Sequence, residues 1–179
     1  MGDPPKLRNK FEKPKRLWDA DRLAHDGGLK KEFGLKCMRE LWVNDSELRK
    51  YRREARRLLS LAEVSRKKEE TKMLVKLAKI GILKHGSAVD DVLGLKVRDL
   101  LERRLQTLVV RKGLAKSMRQ SRQLITHGFI AIEGRRIQIP GYIVTTSEEP
   151  TLVYAQPIDL SVRTPQAPEA KPVAAQVQS

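Results

Sequence analysis

The stretch LERRLQTLVVRKGLAKSMRQSRQLITHGFIAIEGRRIQIPGYIV, residues 101–144, decides the fold, because the hydrophobic period changes inside it. Gly113 closes one helix, and Ser117-Met118-Arg119-Gln120 opens another as a capping box, with a hydroxyl at the cap and an amide three residues on. This helix, Met118 to His127, turns in Met118, Leu124 and Ile125 and stops at Gly128. Beyond it the period drops to two. Phe129 to Ile132 reads as a strand, Glu133 to Arg136 as a turn, and Ile137 to Ile139 as the returning strand. Pro140-Gly141 breaks the run, and Tyr142 to Val144 and Leu152 to Tyr154 supply two further short strands. The spacing therefore predicts two helices on a small, mostly antiparallel sheet, with Leu105, Leu124, Ile125 and Ile130 as core.

Charge concentrates in the same place. Residues 101–136 hold nine Lys/Arg against Glu102 and Glu133, within a chain of 179 residues carrying 37 Lys+Arg and 22 Asp+Glu, net +15. An excess of this size repels itself and answers a polyanion. Residues 103–136 place Lys116, Ser117, Arg119, Gln120 and Arg122 around a helix start, where free N–H groups and the helix dipole favour phosphate. Arg135 and Arg136 follow on the expected hairpin turn.

Upstream the chain reads as helical. Asn44-Asp45-Ser46-Glu47 predicts a helix start with Asn44 as cap, followed by Leu48, Tyr51, Ala55, Leu58, Leu59 and Ala62 on one face. Arg49, Lys50, Arg52, Arg53, Arg56 and Arg57 lie on the other with Glu54 alone, a sign bias that a merely solvated face lacks. A second helix is expected from about Arg66 to Ile80, ended by Gly81, then a loop at residues 84–87. A third spans Val92 to Val110, with Gly94 splitting it near its start. From Trp18 to Val43 only short helical patches are expected, broken by Gly27, Gly28 and Gly34. Residues 1–17, with Pro4, Pro5 and Pro14 among six Lys/Arg, read as an extended basic arm, and residues 164–179 as a disordered tail. The fold class is α+β, and the division is an arm with short helices (1–44), a helical region (45–100), a small module (101–163) and the tail.

Other classes are disfavoured. No apolar run reaches the roughly 18 residues of a membrane span, and the opening residues have no stretch like a secretory signal. Cys37 is the one cysteine, so no internal disulfide and no thiolate zinc cluster is expected. Phosphate-loop, dinucleotide, zinc-protease and nucleophile-elbow motifs are missing, and His25, His85 and His127 fall in separate elements. The chain is expected to be a cytoplasmic non-enzyme without a cofactor. Its eight aromatics are too dispersed for base stacking on a sheet.

The 101–144 stretch resembles the S-four RNA-binding module: an Arg-Leu helix, a Gly, a Ser-plus-basic helix carrying RxLIxxG, a short strand, Gly-Arg-Arg, and a Pro before the next strand. Upstream, FEKPKRLWDADRL, EFGLKCMRELW and KLAKIGIL resemble the archaeal and eukaryotic form of the small-subunit ribosomal protein S-four family. That resemblance implies a primary rRNA-binding constituent of the small subunit. It would nucleate assembly of the subunit body, lie beside proteins S-five and S-twelve, and influence translational accuracy. Other readings of the same surface are a pre-rRNA processing factor and a free-standing RNA-binding regulator. Some bacterial members carry a cysteine zinc cluster, which a chain with Cys37 alone does not match. The candidate RNA-contacting set is Arg49, Arg52, Arg53, Arg56, Arg57, Arg103, Arg104, Arg111, Lys112, Lys116, Ser117, Arg119, Gln120, Arg122, Gln123, His127, Arg135 and Arg136.

Overall fold

A computed structural model describes residues 9–84 and 86–156. The first eight residues of the expected arm, His85 and the expected 164–179 tail lie outside the described residues.

Helix α1 covers Ala20–Glu32. It runs unbroken through Gly27 and Gly28, contrary to expectation, because neither has a positive φ and a helix tolerates an interior glycine at about 1 kcal/mol. The i,i+4 pair Arg22–Asp26, at 2.9 Å, supports the same turn. Gly34, at φ +59°, does end the segment. Helix α2 is Met38–Leu59. Asn44 is therefore no cap: it is buried inside the helix, its amide donating to the Glu40 carbonyl at 2.7 Å. Apolar Leu41 continues the inward stripe two turns upstream of Leu48, which carries the helix past the polar cluster. Leu59, expected inward, is exposed at the helix end.

Helix α3, Glu63–Ile80, closes at Gly81 in the left-handed conformation, as its sequence indicates. The expected third helix is three short ones: α4 Val89–Gly94, α5 Val97–Glu102 and α6 Leu105–Arg111. Local acids cut it. Asp91 accepts the Ala88 amide at 2.9 Å and Asp99 accepts the Lys96 amide at 2.7 Å, so each restarts a helix. The Leu105 amide then leaves the ladder and donates to the Tyr142 carbonyl at 2.8 Å. Helix α7 is Met118–Thr126.

The sheet is antiparallel, in the order β2-β1-β3, with β1 Ile130–Ile132, β2 Arg135–Arg136 and β3 Val153–Tyr154. Arg135 and Arg136 therefore form the returning strand, and the turn is the pair Glu133-Gly134, at φ 50° and 77°. Two left-handed residues suit a tight hairpin whose twist matches its strands. Residues 137–139, expected as a strand, add a single ladder bond from Ile137 to Ile130, because Pro140-Gly141 turns the chain away. Residues 142–144 form no strand and contribute only the bridge between Ile143 and Arg104.

The architecture is thus α+β: helices followed by two helices on a small sheet. One core gathers Leu48, Tyr51, Ala55 and Leu58 of α2 with Met73, Leu77, Val89 and Val92. A second gathers Leu105, Leu108, Leu124, Ile125, Ile130 and Val144. A third, Phe33, Leu35, Leu41 and Leu101, lies where α1 and α2 meet α5. Burying a Leu or Ile side chain contributes about 1.5–3 kcal/mol, so the two larger clusters dominate cohesion.

Candidate nucleic-acid interface

Helix α7 is capped from its own sequence. Ser117 Oγ accepts the Gln120 amide at 3.2 Å, and the Gln120 side-chain carbonyl accepts the Lys116 amide at 2.8 Å. Leu124 and Ile125 fix the buried face, and Ser121 Oγ donates to the Gln106 carbonyl at 2.7 Å. The outer face therefore presents Arg119 and Gln123 to solvent beside exposed Lys116 and Ser117. His127 is also exposed, its ring stacked on Phe129 at 6.3 Å and 13°.

A cleft of about 980 Å³ opens between α1 and α7. It is lined by Lys30, Lys31 and Lys36 from the N-terminal segment and by Ser117, Arg119, Arg122 and Gln123 at α7, with no carboxylate in its lining among the described residues. The sequence reading missed Lys30, Lys31 and Lys36, since an ordinary basic last turn marks two of them and no local signal says what they face. Gly34 lets the walls approach, and the Gln106 side chain donates to the Gly34 and Met118 carbonyls at 3.1 and 2.9 Å.

Behind this cleft Glu40 joins two arginines. Arg104 donates to Oε2 at 2.8 Å, and Arg122 to Oε1 at 2.7 Å. Burial alone would raise the Glu40 pKa. The hydrogen bonds from Arg122 and Arg104, with their charges, outweigh it and hold the carboxyl below the usual glutamate range.

The expected RNA-contacting residues separate by environment. Arg53, Arg56, Lys116, Arg119, Arg135 and Arg136 are exposed, and the ion pairs among the described residues do not include them. Arg49, Arg57 and Arg111 are exposed but paired with Asp45, Glu69 and Glu102 at 2.7, 2.7 and 3.0 Å. Arg104 is 4% exposed, so its guanidinium belongs to the interior, contrary to its place in the expected set. Arg103 is likewise largely buried, donating to Glu149 at 2.9 Å and to the Val144 carbonyl. Arg52 donates to the Leu95 carbonyl and Lys112 to that of Glu149.

Arg103, Arg111 and Lys112 meet in a second cleft of about 370 Å³, where Asp99, Glu102 and Glu149 balance them. Equal charges leave little attraction for a polyanion, so the α1–α7 cleft is the cationic one. Arg53 and Arg56 line neither cleft. Among the described residues, no group of three His, Cys, Asp or Glu could hold a metal ion, and no helix is long and apolar enough to cross a membrane.

A capped basic helix against a small antiparallel sheet is the architecture of an S4 domain, and the family description "S4 domain" matches residues 103–149. Similarity extends well beyond it. The chain is 50% identical to the small ribosomal subunit protein uS4 of Ignicoccus hospitalis, over 87% of this chain and 93% of that relative. It is 47% identical to the protein of that name from Saccharolobus solfataricus, over 86% of each. It is 44% identical to that of Methanothermobacter thermautotrophicus, over 83% of this chain and 87% of the relative. The chain belongs to the small ribosomal subunit protein uS4 family.

Proposed function

We propose that this chain is a structural constituent of the small ribosomal subunit that binds its rRNA directly. The observation that carries this is a cleft lined, among the described residues, by five Lys/Arg and no carboxylate, beside the capped start of α7. Phosphate contacts from Lys116, Arg119, Arg135 and Arg136, with Arg53 and Arg56 of α2, hold a folded RNA by backbone placement and shape. Arg104, buried against Glu40, and Arg103, against Glu149, support that surface from within.

The role is architectural, not catalytic. Neutralised phosphates allow rRNA helices to approach; the family resemblance further implies that the protein acts early, nucleates the subunit body, and in the mature cytoplasmic ribosome lies beside proteins S-five and S-twelve, where it influences accuracy. The division into residues 1–44, 45–100, 101–163 and 164–179 is part of this proposal; separate hydrophobic clusters support 45–100 and 101–163 as units, whereas α2, Met38–Leu59, runs across the boundary at 44. A processing factor is not favoured, because the similarity to ribosomal proteins spans the helical region as well as the module.

The test is sucrose-gradient fractionation of lysate at moderate and high salt, with detection of this protein. Retention in mature small subunits and translating ribosomes is expected, and confinement to precursor particles or the free fraction overturns the assignment. In filter binding, neutralising about eight phosphates gives a slope of log K against log salt near −6 to −7.

A further inference from the structure

The α1–α7 cleft has one wall outside residues 103–149. Lys31 lies in the last turn of α1 and Lys36 just beyond Gly34, while Arg119 lies in the first turn of α7. Residues so far apart in sequence share a cleft only if something fixes the walls together. The Gln106 amide bonds one carbonyl on each wall, at Gly34 and Met118. The second tie is Glu40 in the first turn of α2, which accepts hydrogen bonds from Arg104 and Arg122. Arg122 lines the cleft and Glu40 does not.

We propose that this cleft is a two-walled seat for the backbone of an RNA strand, with Lys31 and Lys36 on one wall and Arg119 on the other, and that Glu40 is the positioning residue that holds the walls together. The proposal rests on the RNA-binding reading above and adds the ligand of the cleft and the residue that shapes it. Phosphodiester oxygens between the walls meet cations on both sides. Glu40 engages the Arg122 guanidinium from behind, so Arg122 serves mainly as a tie, and Lys31, Lys36 and Arg119, which are in no ion pair among the described residues, supply the rest of the charge.

Glu40 also makes the idea testable by sign. A carboxylate close to an RNA backbone repels it, so removing that charge tightens binding if the residue acts only through its field. If Glu40 acts by position, the same change weakens binding.

The experiment is filter binding of the full chain to a transcript of its own small-subunit rRNA across a salt series, with folding checked by circular dichroism. The proteins are wild type, K31Q/K36Q, E40Q and E40D. K31Q/K36Q is expected to lower affinity about tenfold and to make the slope of log K against log salt shallower by about 1.4–1.8, the worth of two phosphates. E40Q is expected to weaken binding about fivefold or more and to shrink the effect of K31Q/K36Q in the same chain, because coupled residues lose additivity. E40D restores part of the loss.

A folded E40Q that binds as well as or better than wild type overturns the positioning role. Unchanged affinity and slope in K31Q/K36Q, while wild type binds, overturns the two-walled seat. Failure of wild type to bind the transcript removes the RNA-binding reading itself, and the seat with it. If E40Q does not fold, K31Q/K36Q and R119Q are combined: non-additive losses support the shared seat, and strictly additive ones overturn it.

Discussion

A Cβ placed on Gly34 would stand 2.6 Å from the Cβ of Met118, so the turn after α1 lies directly against the first residue of α7. Few real Cβ atoms come so close, and Gly34 also has φ +59°, where an L side chain is strained. Contact and dihedral demand glycine for separate reasons. Gly34→Ala is therefore expected to destabilise the chain by about 2–4 kcal/mol, combining left-handed strain with overpacking. Denaturant unfolding measures this, and a change within a few tenths of a kcal/mol would mean that the two walls are not in contact.

Arg104 and Arg119 should respond in opposite ways. Arg104 is buried, and replacing it with Gln leaves Glu40 with one partner, so stability should fall by about 2–4 kcal/mol. Arg119 is exposed, and R119Q should change stability by less than about 0.5 kcal/mol. Its loss should appear in RNA affinity, by about 1–3 kcal/mol if it makes charge-assisted bonds to phosphate. Chemical denaturation beside filter binding of each variant separates the two roles.

Acid should dissolve the Glu40 tie. Burial raises its pKa, but the Arg122 and Arg104 hydrogen bonds and charges bring it below the ordinary glutamate value of 4.5. A folded-state pKa below the unfolded one gives stability that is complete above the unfolded value and is lost as pH falls through the folded one. The stability difference between wild type and E40Q should therefore be constant from about pH 6 to 8 and shrink below about pH 4.5. Glu148 is also held low, chiefly by the Thr145 amide, and it titrates in both proteins, so the difference isolates Glu40. A gap that widens towards acid would contradict the ion-pair account.

Ser117→Ala removes the acceptor of the Gln120 amide. The expected cost is about 1 kcal/mol, as for other caps. Ser117→Asp should recover the stability and still weaken RNA binding, because it adds a negative charge to the cationic cleft. Thermal unfolding and filter binding of both variants check the two effects.

Local chemistry made much of this fold legible in the sequence. The Ser117 cap, the stops at Gly81, Gly113 and Gly128, the inward Leu124 and Ile125, and the change of period after Gly128 depend on neighbours within a few residues. A hydroxyl that caps, a glycine that turns left-handed and an apolar stripe at helical spacing act wherever the rest of the chain lies. The basic excess, and so the polyanionic partner, was equally plain. Local reading erred where a distant group decided the outcome. Asn44 has a capping side chain, but Leu41, packed with Phe33, Leu35 and distant Leu101, carries α2 back past it. The expected helix over residues 92–110 breaks before Leu105, whose amide pairs with Tyr142. Arg104 and Arg119 are both arginines in one basic stretch, and no spacing rule tells them apart. Glu40, 64 residues from one and 82 from Arg122, draws Arg104 inside and binds Arg122 from behind. Sequence alone determined the elements and the sign of the partner's charge. Tertiary structure decided which cations stay free to meet it, because each charge's availability depends on the carboxylates and carbonyls that folding brings beside it.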